Sequence, residues 1–210
     1  MKIAIPLYDR FTALDAVGPF EVLARVPGAE VTWLGPEAGP VSTDNGLTLV
    51  TGAAYEELPD PDIVLVPGGL GTYAALEDER LVEWIRRAHE TSQWTTSVCT
   101  GSILLAEAGV LAGLEATTHW LDLEALERLG AQPTGRRVVE QGKVITAAGV
   151  SSGIDMGLVL AARIAGTEVA QAIQLAIEYD PQPPFDAGST EKAPPEIVDL
   201  VRSVAAARAD

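Results

Sequence analysis

Short apolar runs alternate along this chain with stretches whose apolar positions recur every three or four residues. Ile3 to Leu7, Val31 to Gly35 and Ile63 to Val66 are unbroken runs, which predicts strands covered on both faces. Trp94 to Val98, rich in aromatic and β-branched residues, predicts a fourth. Helical spacing over Thr12 to Ala24, Arg80 to Glu90, Thr100 to Ala108 and Leu121 to Leu129 fills the intervals. The resulting βαβα rhythm predicts an α/β fold with a mainly parallel sheet between helices. Two hairpins are predicted as edge or flap elements. One joins Val41–Thr43 to Leu47–Val50 through Asp44-Asn45-Gly46, and the other joins Arg137–Glu140 to Lys143–Thr146 through Gln141-Gly142. Ile154 to Ile164 carries apolar residues all round, the pattern of a buried helix, and Glu168 to Ile177 follows as another. The Pro- and Gly-rich stretch Asp180 to Pro195 predicts a stiff surface strap, and Pro195 to Ala207 a last helix.

Composition narrows the class without changing this picture. The 210 residues suffice for one large core, so a single domain over 1–210 is expected. With 30 Asp+Glu against 14 Lys+Arg the formal charge is −16, which repels phosphate backbones and anionic lipid; neither nucleic acid nor membrane is an expected partner. Acids in segments such as Leu121 to Leu129 read as a solvated helix face. One cysteine makes no internal disulfide, Met1 to Tyr8 reads as a strand rather than a signal peptide, and no apolar run reaches bilayer length. A cytoplasmic protein is expected. Two histidines and one cysteine show no metal-ligand spacing, so no metal is expected.

Candidate chemistry concentrates in loops that follow strands, where open α/β sheets collect ligands. Cys99 stands at the junction of the strand ending at Val98 and the helix opening after Thr100. It reads either as a small buried hydrophobe or as a nucleophile whose pKa is lowered by the helix N-terminus. Pro67-Gly68-Gly69-Leu70-Gly71 follows another strand; it is either a plain turn or a source of backbone N–H donors, and it lacks the Lys-Ser/Thr of a phosphate loop. Asp15, flanked by Leu14 and Val17, is either a helix-start cap or a carboxyl with a raised pKa that meets Cys99 across the strand ends. His119, beside Trp120, reads as a packed or pocket-wall histidine, with a Cys-His pair as the alternative; His89 reads as a surface residue.

With these residues in view, the chain resembles the DJ-1/PfpI superfamily over nearly its whole length. The resemblance is carried by LDAVGPFEVL, VPGGLGTYAAL, TTSVCTGSILLAEAGVL, ATTHW, GVSSGIDMGL and EYDPQPPFDAGS. SVCTGS and ATTHW are common to several branches, whereas the LD-x-x-GP start and the tail look most like an isocyanide-hydrating branch. The resemblance implies a flavodoxin-like three-layer sandwich, a homodimer and conversion of R–N≡C to R–NH–CHO without a cofactor. It further implies that Cys99 is the nucleophile and Asp15 its acid/base partner. Thr100 would contribute through its hydroxyl and backbone N–H, and Gly69, with Leu70 beside it, would form the substrate and oxyanion side. Thr100 stands where PfpI-type proteases place histidine, which argues against a peptidase. Asp15 stands where DJ-1-like and glyoxalase-like members present glutamate, which argues against those branches. A ligand sensor like the domains fused to AraC-type regulators, a redox sensor and a glyoxalase-type enzyme are the alternatives.

Overall fold

The computed structural model describes residues 1–209 as two compact units, Met1–Ile177 and a second that begins at Glu178. The first unit opens with β1 (Lys2–Pro6), α1 (Ala13–Leu23), β2 (Glu30–Gly35), the hairpin β3 (Gly39–Ser42) and β4 (Thr48–Thr51), and the two-residue β5 (Ala53–Ala54). It continues through β6 (Ile63–Val66), α2 (Thr72–Ala75), α3 (Glu79–Thr91), β7 (Trp94–Val98) and α4 (Gly101–Glu107). Then come β8 (Glu115–Ala116), α5 (Leu123–Arg128), β9 (Gln132–Pro133), β10 (Val138–Gln141), β11 (Val144–Ala147), α6 (Ser152–Ala165) and α7 (Thr167–Ala176).

Among the described residues, seven strands make the main sheet in the order β10-β11-β7-β6-β1-β2-β5. Every neighbouring pair is parallel except β10 with β11. The chain leaves β1 toward β2 on one side and later leaves β6 toward β7 on the other. Right-handed crossovers in opposite directions place α1 on one face of the sheet and α3 and α4 on the other. This is the mainly parallel sheet between helices that the apolar runs predict, in the flavodoxin-like arrangement that the resemblance implies, and its centre is dry: all of Ile63, Val64, Leu65 and Val66 are inaccessible, as are Ile3, Ala4 and Ile5. Each of the Ile, Leu and Val side chains contributes about 1.5–3 kcal/mol by leaving water.

The second predicted hairpin takes the edge rather than the flap of the two places expected for it: β10 is the edge strand, and β11 pairs in parallel with β7 inside the sheet. Two other expectations are corrected by packing. The helix expected to be buried all round, α6, buries one stripe, Ser152, Gly153, Met156, Gly157, Leu160 and Ala161, and leaves Ile154 and Leu158 partly exposed. His89 is half-buried rather than on the surface; its Nδ1 lies 2.8 Å from Thr95 Oγ1, and burial lowers its pKa.

Gly101 decides how closely α4 approaches β6. A Cβ at this position would stand 2.2 Å from the Val66 carbonyl oxygen, and backbone cannot yield as a flexible side chain can. Gly101→Ala is expected to lower stability by about 3 kcal/mol, through displacement of the whole Cys99 turn. A denaturant melt that overlays the wild type would show that the turn tolerates this displacement.

Residues of the Pro-rich stretch from Pro181 to Lys192 are exposed, with Lys192 paired to Asp186 at 2.8 Å, and α8 (Pro195–Ala209) follows. No helix among the described residues is long and apolar enough to cross a membrane.

Candidate active site

The loops after β1, β6 and β7 converge because those three strands are neighbours in the sheet and all point the same way. This is the crevice at the carboxyl ends of the strands, beside the point where the winding reverses. It brings together Asp15 from the first turn of α1, Gly68 and Gly69 from the loop after β6, and Cys99 and Thr100 from the turn between β7 and α4.

Cys99 has φ of 56°, the left-handed region that non-glycine residues rarely occupy. The turn is held from both ends. The Cys99 N–H points to the carbonyls of Ala147 and Ala148, each at 3.0 Å, and its own carbonyl accepts from Ser102 Oγ at 3.1 Å and Thr118 Oγ1 at 3.0 Å. With its backbone so fixed, the side chain is buried with 6% of its surface accessible. The thiol receives backbone N–H groups from Thr100 and from Val150. These favour the thiolate, as the helix N-terminus was expected to do. They do not prevail: burial, followed by the Asp15 carboxylate, holds the Cys99 pKa well above its ordinary value. Local sequence conveys the helix end but not the desolvation.

Asp15 is no helix cap. It is fully buried, and its Oδ2 accepts the Gly68 N–H at 3.0 Å. Burial raises its pKa to about 8, against the lowering influence of that N–H and of the Cys99 thiol; Asp44 adds a further upward push. Its other oxygen, Oδ1, has no hydrogen-bond partner among the described residues. A carboxyl with one oxygen anchored, the other uncommitted and a thiol beside it is arranged to exchange a proton. Asp44 belongs to the β3–β4 turn, which closes over this side of the site: Thr12 Oγ1 donates to Asp44 Oδ2 at 2.5 Å, and the Asp44 N–H bonds to the Phe11 carbonyl.

The glycine turn differs in one respect from its expected role. Gly69 N–H donates to Thr100 Oγ1 at 3.0 Å instead of facing open space, so the backbone donors aimed at the sulfur are those of Thr100 and Val150. Leu70, next to it, is 38% exposed. Gly68 has no room for a side chain, since a Cβ would lie 2.5 Å from the Thr100 nitrogen. The Thr100 hydroxyl is itself committed, lying 2.7 Å from Thr72 Oγ1.

His119 packs its ring on Trp120, with centroids 5.7 Å apart, and against Gly149, immediately before Val150. Its Nδ1 accepts the Leu121 N–H at 3.4 Å, and burial lowers its pKa; among the described residues no hydrogen bond joins it to Cys99. That is a wall of the site. Asp122, read from sequence as part of a solvated face, instead accepts from Tyr73 at 2.6 Å and adds to the negative potential at the thiol. Sequence reasoning missed Val150, Thr72 and Tyr8 as well. Val150 acts through its backbone, so its side chain carries no signal; Tyr8 read as the end of a strand, and Thr72 falls in no predicted element. Among the described residues no group of three or more His, Cys, Asp or Glu is placed to hold a metal. A separate groove of about 840 Å³ on α3 is lined by Glu56, Arg80, Glu83 and Arg87, and contains none of Cys99, Asp15 or Thr100. These four charges pair at the surface, Arg80 with Glu56 and Arg87 with Glu83.

Residues 1–163 match the model of the DJ-1/PfpI family. The chain is 41% identical over 206 residues to the isonitrile hydratase of Pseudomonas putida, a match that covers 98% of this chain and 90% of that one. It is 30% identical over 172 residues to the HTH-type transcriptional regulator CdhR of Pseudomonas aeruginosa, with 80% of this chain and 51% of the regulator covered. Among solved structures, a THiJ/PfpI family protein from Pseudomonas syringae superposes with a TM-score of 0.93 at 36% identity, over 99% of this chain and 88% of its own.

Proposed function

Because the chain belongs to the DJ-1/PfpI family, we propose that the meeting of Cys99 and Asp15 at the strand ends serves the hydration of an isocyanide to its N-substituted formamide. The observation that carries this reading is the buried, backbone-anchored pair itself, in a chain 41% identical to an isonitrile hydratase along almost all its length.

The two groups titrate together, so the reactive state belongs to the pair and is the one that holds a single proton. In that state the carboxylate takes the proton as the thiol adds to the terminal isocyanide carbon. Asp15 then delivers it to the same carbon, which gives the thioimidate R–N=CH–S–Cys99. Water attacks the thioimidate carbon and loses a proton to Asp15, which passes it to nitrogen. The tetrahedral R–NH–CH(OH)–S–Cys99 then collapses. Its hydroxyl proton returns to Asp15, the C–S bond breaks, and R–NH–CHO leaves with the pair in its starting state. No electrons are gained or lost, so the cycle needs no cofactor. The N–H groups of Thr100 and Val150 stabilise the sulfur as it leaves with its charge.

Incubation of the purified protein with an aryl isocyanide is expected to produce the N-formyl amine, measured by chromatography against the uncatalysed background. Formamide at the background rate would overturn the assignment and favour the sensing role suggested by the regulator-like relatives.

A further inference from the structure

Three buried hydroxyls link the two ends of the glycine turn. Gly69 N–H donates to Thr100 Oγ1 at 3.0 Å; Thr100 Oγ1 lies 2.7 Å from Thr72 Oγ1, and Thr72 Oγ1 lies 2.9 Å from the Tyr8 hydroxyl. Tyr8 donates to the Pro67 carbonyl at 2.9 Å, and this completes the series. Thr72 is inaccessible, Tyr8 is 4% exposed and Thr100 is 7% exposed.

The ends of the series set its direction. An N–H can only donate and a carbonyl can only accept, so each hydroxyl proton points from Thr100 to Thr72, from Thr72 to Tyr8 and from Tyr8 to Pro67. Every member is satisfied in this one orientation. A series with a single proton arrangement holds its members more rigidly than hydroxyls free to rotate. Between the two anchored residues of the turn lies Gly68, whose N–H is on Asp15. Past the other end lies the Thr100 peptide, whose N–H faces the thiol.

We infer that Thr72 and Tyr8 are positioning residues, which hold the glycine turn and the Thr100 peptide so that one N–H bears on Asp15 and another on Cys99. The inference rests on the reading of Cys99 as the reacting group, but not on the identity of the substrate. Neither residue reaches the sulfur by a hydrogen bond; their effect passes through Thr100 and Gly68. Without the Thr72 hydroxyl, the Thr100 proton loses its 2.7 Å acceptor and has only the Gly69 carbonyl, at 3.4 Å, to turn to.

The test is the pH dependence of Cys99 alkylation by iodoacetamide in Thr72→Val, Thr72→Ser and Tyr8→Phe. This reaction needs no isocyanide, so it reads the inference separately from the proposed activity. The charged groups facing the thiol, Asp15 from α1 and Asp122 from the approach to α5, are unchanged in all three, and burial keeps Tyr8 neutral through the range. In Thr72→Val and Tyr8→Phe the apparent pKa for alkylation is expected to rise by about 0.5 unit or more, with the rate at neutral pH about threefold lower. Thr72→Ser, which restores the hydroxyl, is expected to follow the wild type. Overlapping profiles for wild type and Tyr8→Phe, or failure of Thr72→Ser to restore what Thr72→Val loses, would overturn the inference. If loss of far-UV circular dichroism shows that Thr72→Val does not fold, the two smaller changes decide the matter.

Discussion

Cys99→Ala is expected to make no formamide above background, a loss of at least about 10³-fold in turnover, while the protein remains folded. The scale follows from the role: without sulfur no bond to the isocyanide carbon forms, and the N–H groups that remain can only orient water. The fold survives because the turn is held by its main chain, through Ala147, Ala148, Ser102 and Thr118, and alanine preserves all of those contacts. Alanine at φ of 56° meets the same steric cost as cysteine, so the strain does not change. Product assays on wild type and variant, with a melt of each, provide the check. Turnover by folded Cys99→Ala within about tenfold of wild type would remove the covalent step and leave water attacking directly.

Asp15→Asn is expected to separate activity from stability. Turnover should fall by about 10²–10⁴-fold, the usual contribution of a positioned acid/base, because the amide accepts and returns no proton under these conditions. The wild-type rate should rise with pH toward about 8, as the pair loses the first of its protons, and this limb should be missing from whatever activity the variant retains.

Stability responds in the opposite sense. A carboxyl with pKa about 8 in the folded chain and about 3.9 when unfolded keeps its proton between those values only while folded. The unfolded state binds fewer protons throughout that window, so stability falls as pH rises from ~4 to ~8, by up to about 1.4 kcal/mol per unit. Below ~4 both states are protonated and the contribution is absent; above ~8 the penalty is complete. Asparagine, which retains an oxygen for the Gly68 N–H, escapes this penalty. Denaturant melts at pH 5 and pH 8 should therefore show the variant gaining on the wild type as pH rises. Equal stability differences at the two values would mean that Asp15 is ionised when folded, and would remove it as the proton source.

Much of the fold was legible because strands buried on both faces need unbroken apolar runs. Ile3 to Leu7 and Ile63 to Val66 report their own environment in their composition. The position of Cys99 was legible for a related reason: a strand running into a helix leaves one residue at the turn, and its type is read directly. The apolar neighbours of Asp15 allowed a raised pKa as one of two readings, and its burial in the fold selects that reading over a helix cap. The environment of Cys99 was not legible in that way, since the helix end seen in the sequence predicted a lowered pKa and burial produced a raised one.

By itself, then, the sequence determined the layered α/β class and the turn that carries the thiol, and it left Asp15 open between a helix cap and a carboxyl facing Cys99. The local pattern of burial is a property of each segment, and these features depend on little else. Only the tertiary structure decided that β1, β6 and β7 lie side by side, which brings the Gly68 N–H onto Asp15 from 53 positions away and the Val150 N–H onto the sulfur. It also decided that Tyr8 and Thr72 complete a hydroxyl series through Thr100, and that desolvation outweighs the helix end at Cys99. Contacts between distant segments, and the water they exclude, arise from how the elements pack, and no single segment records them.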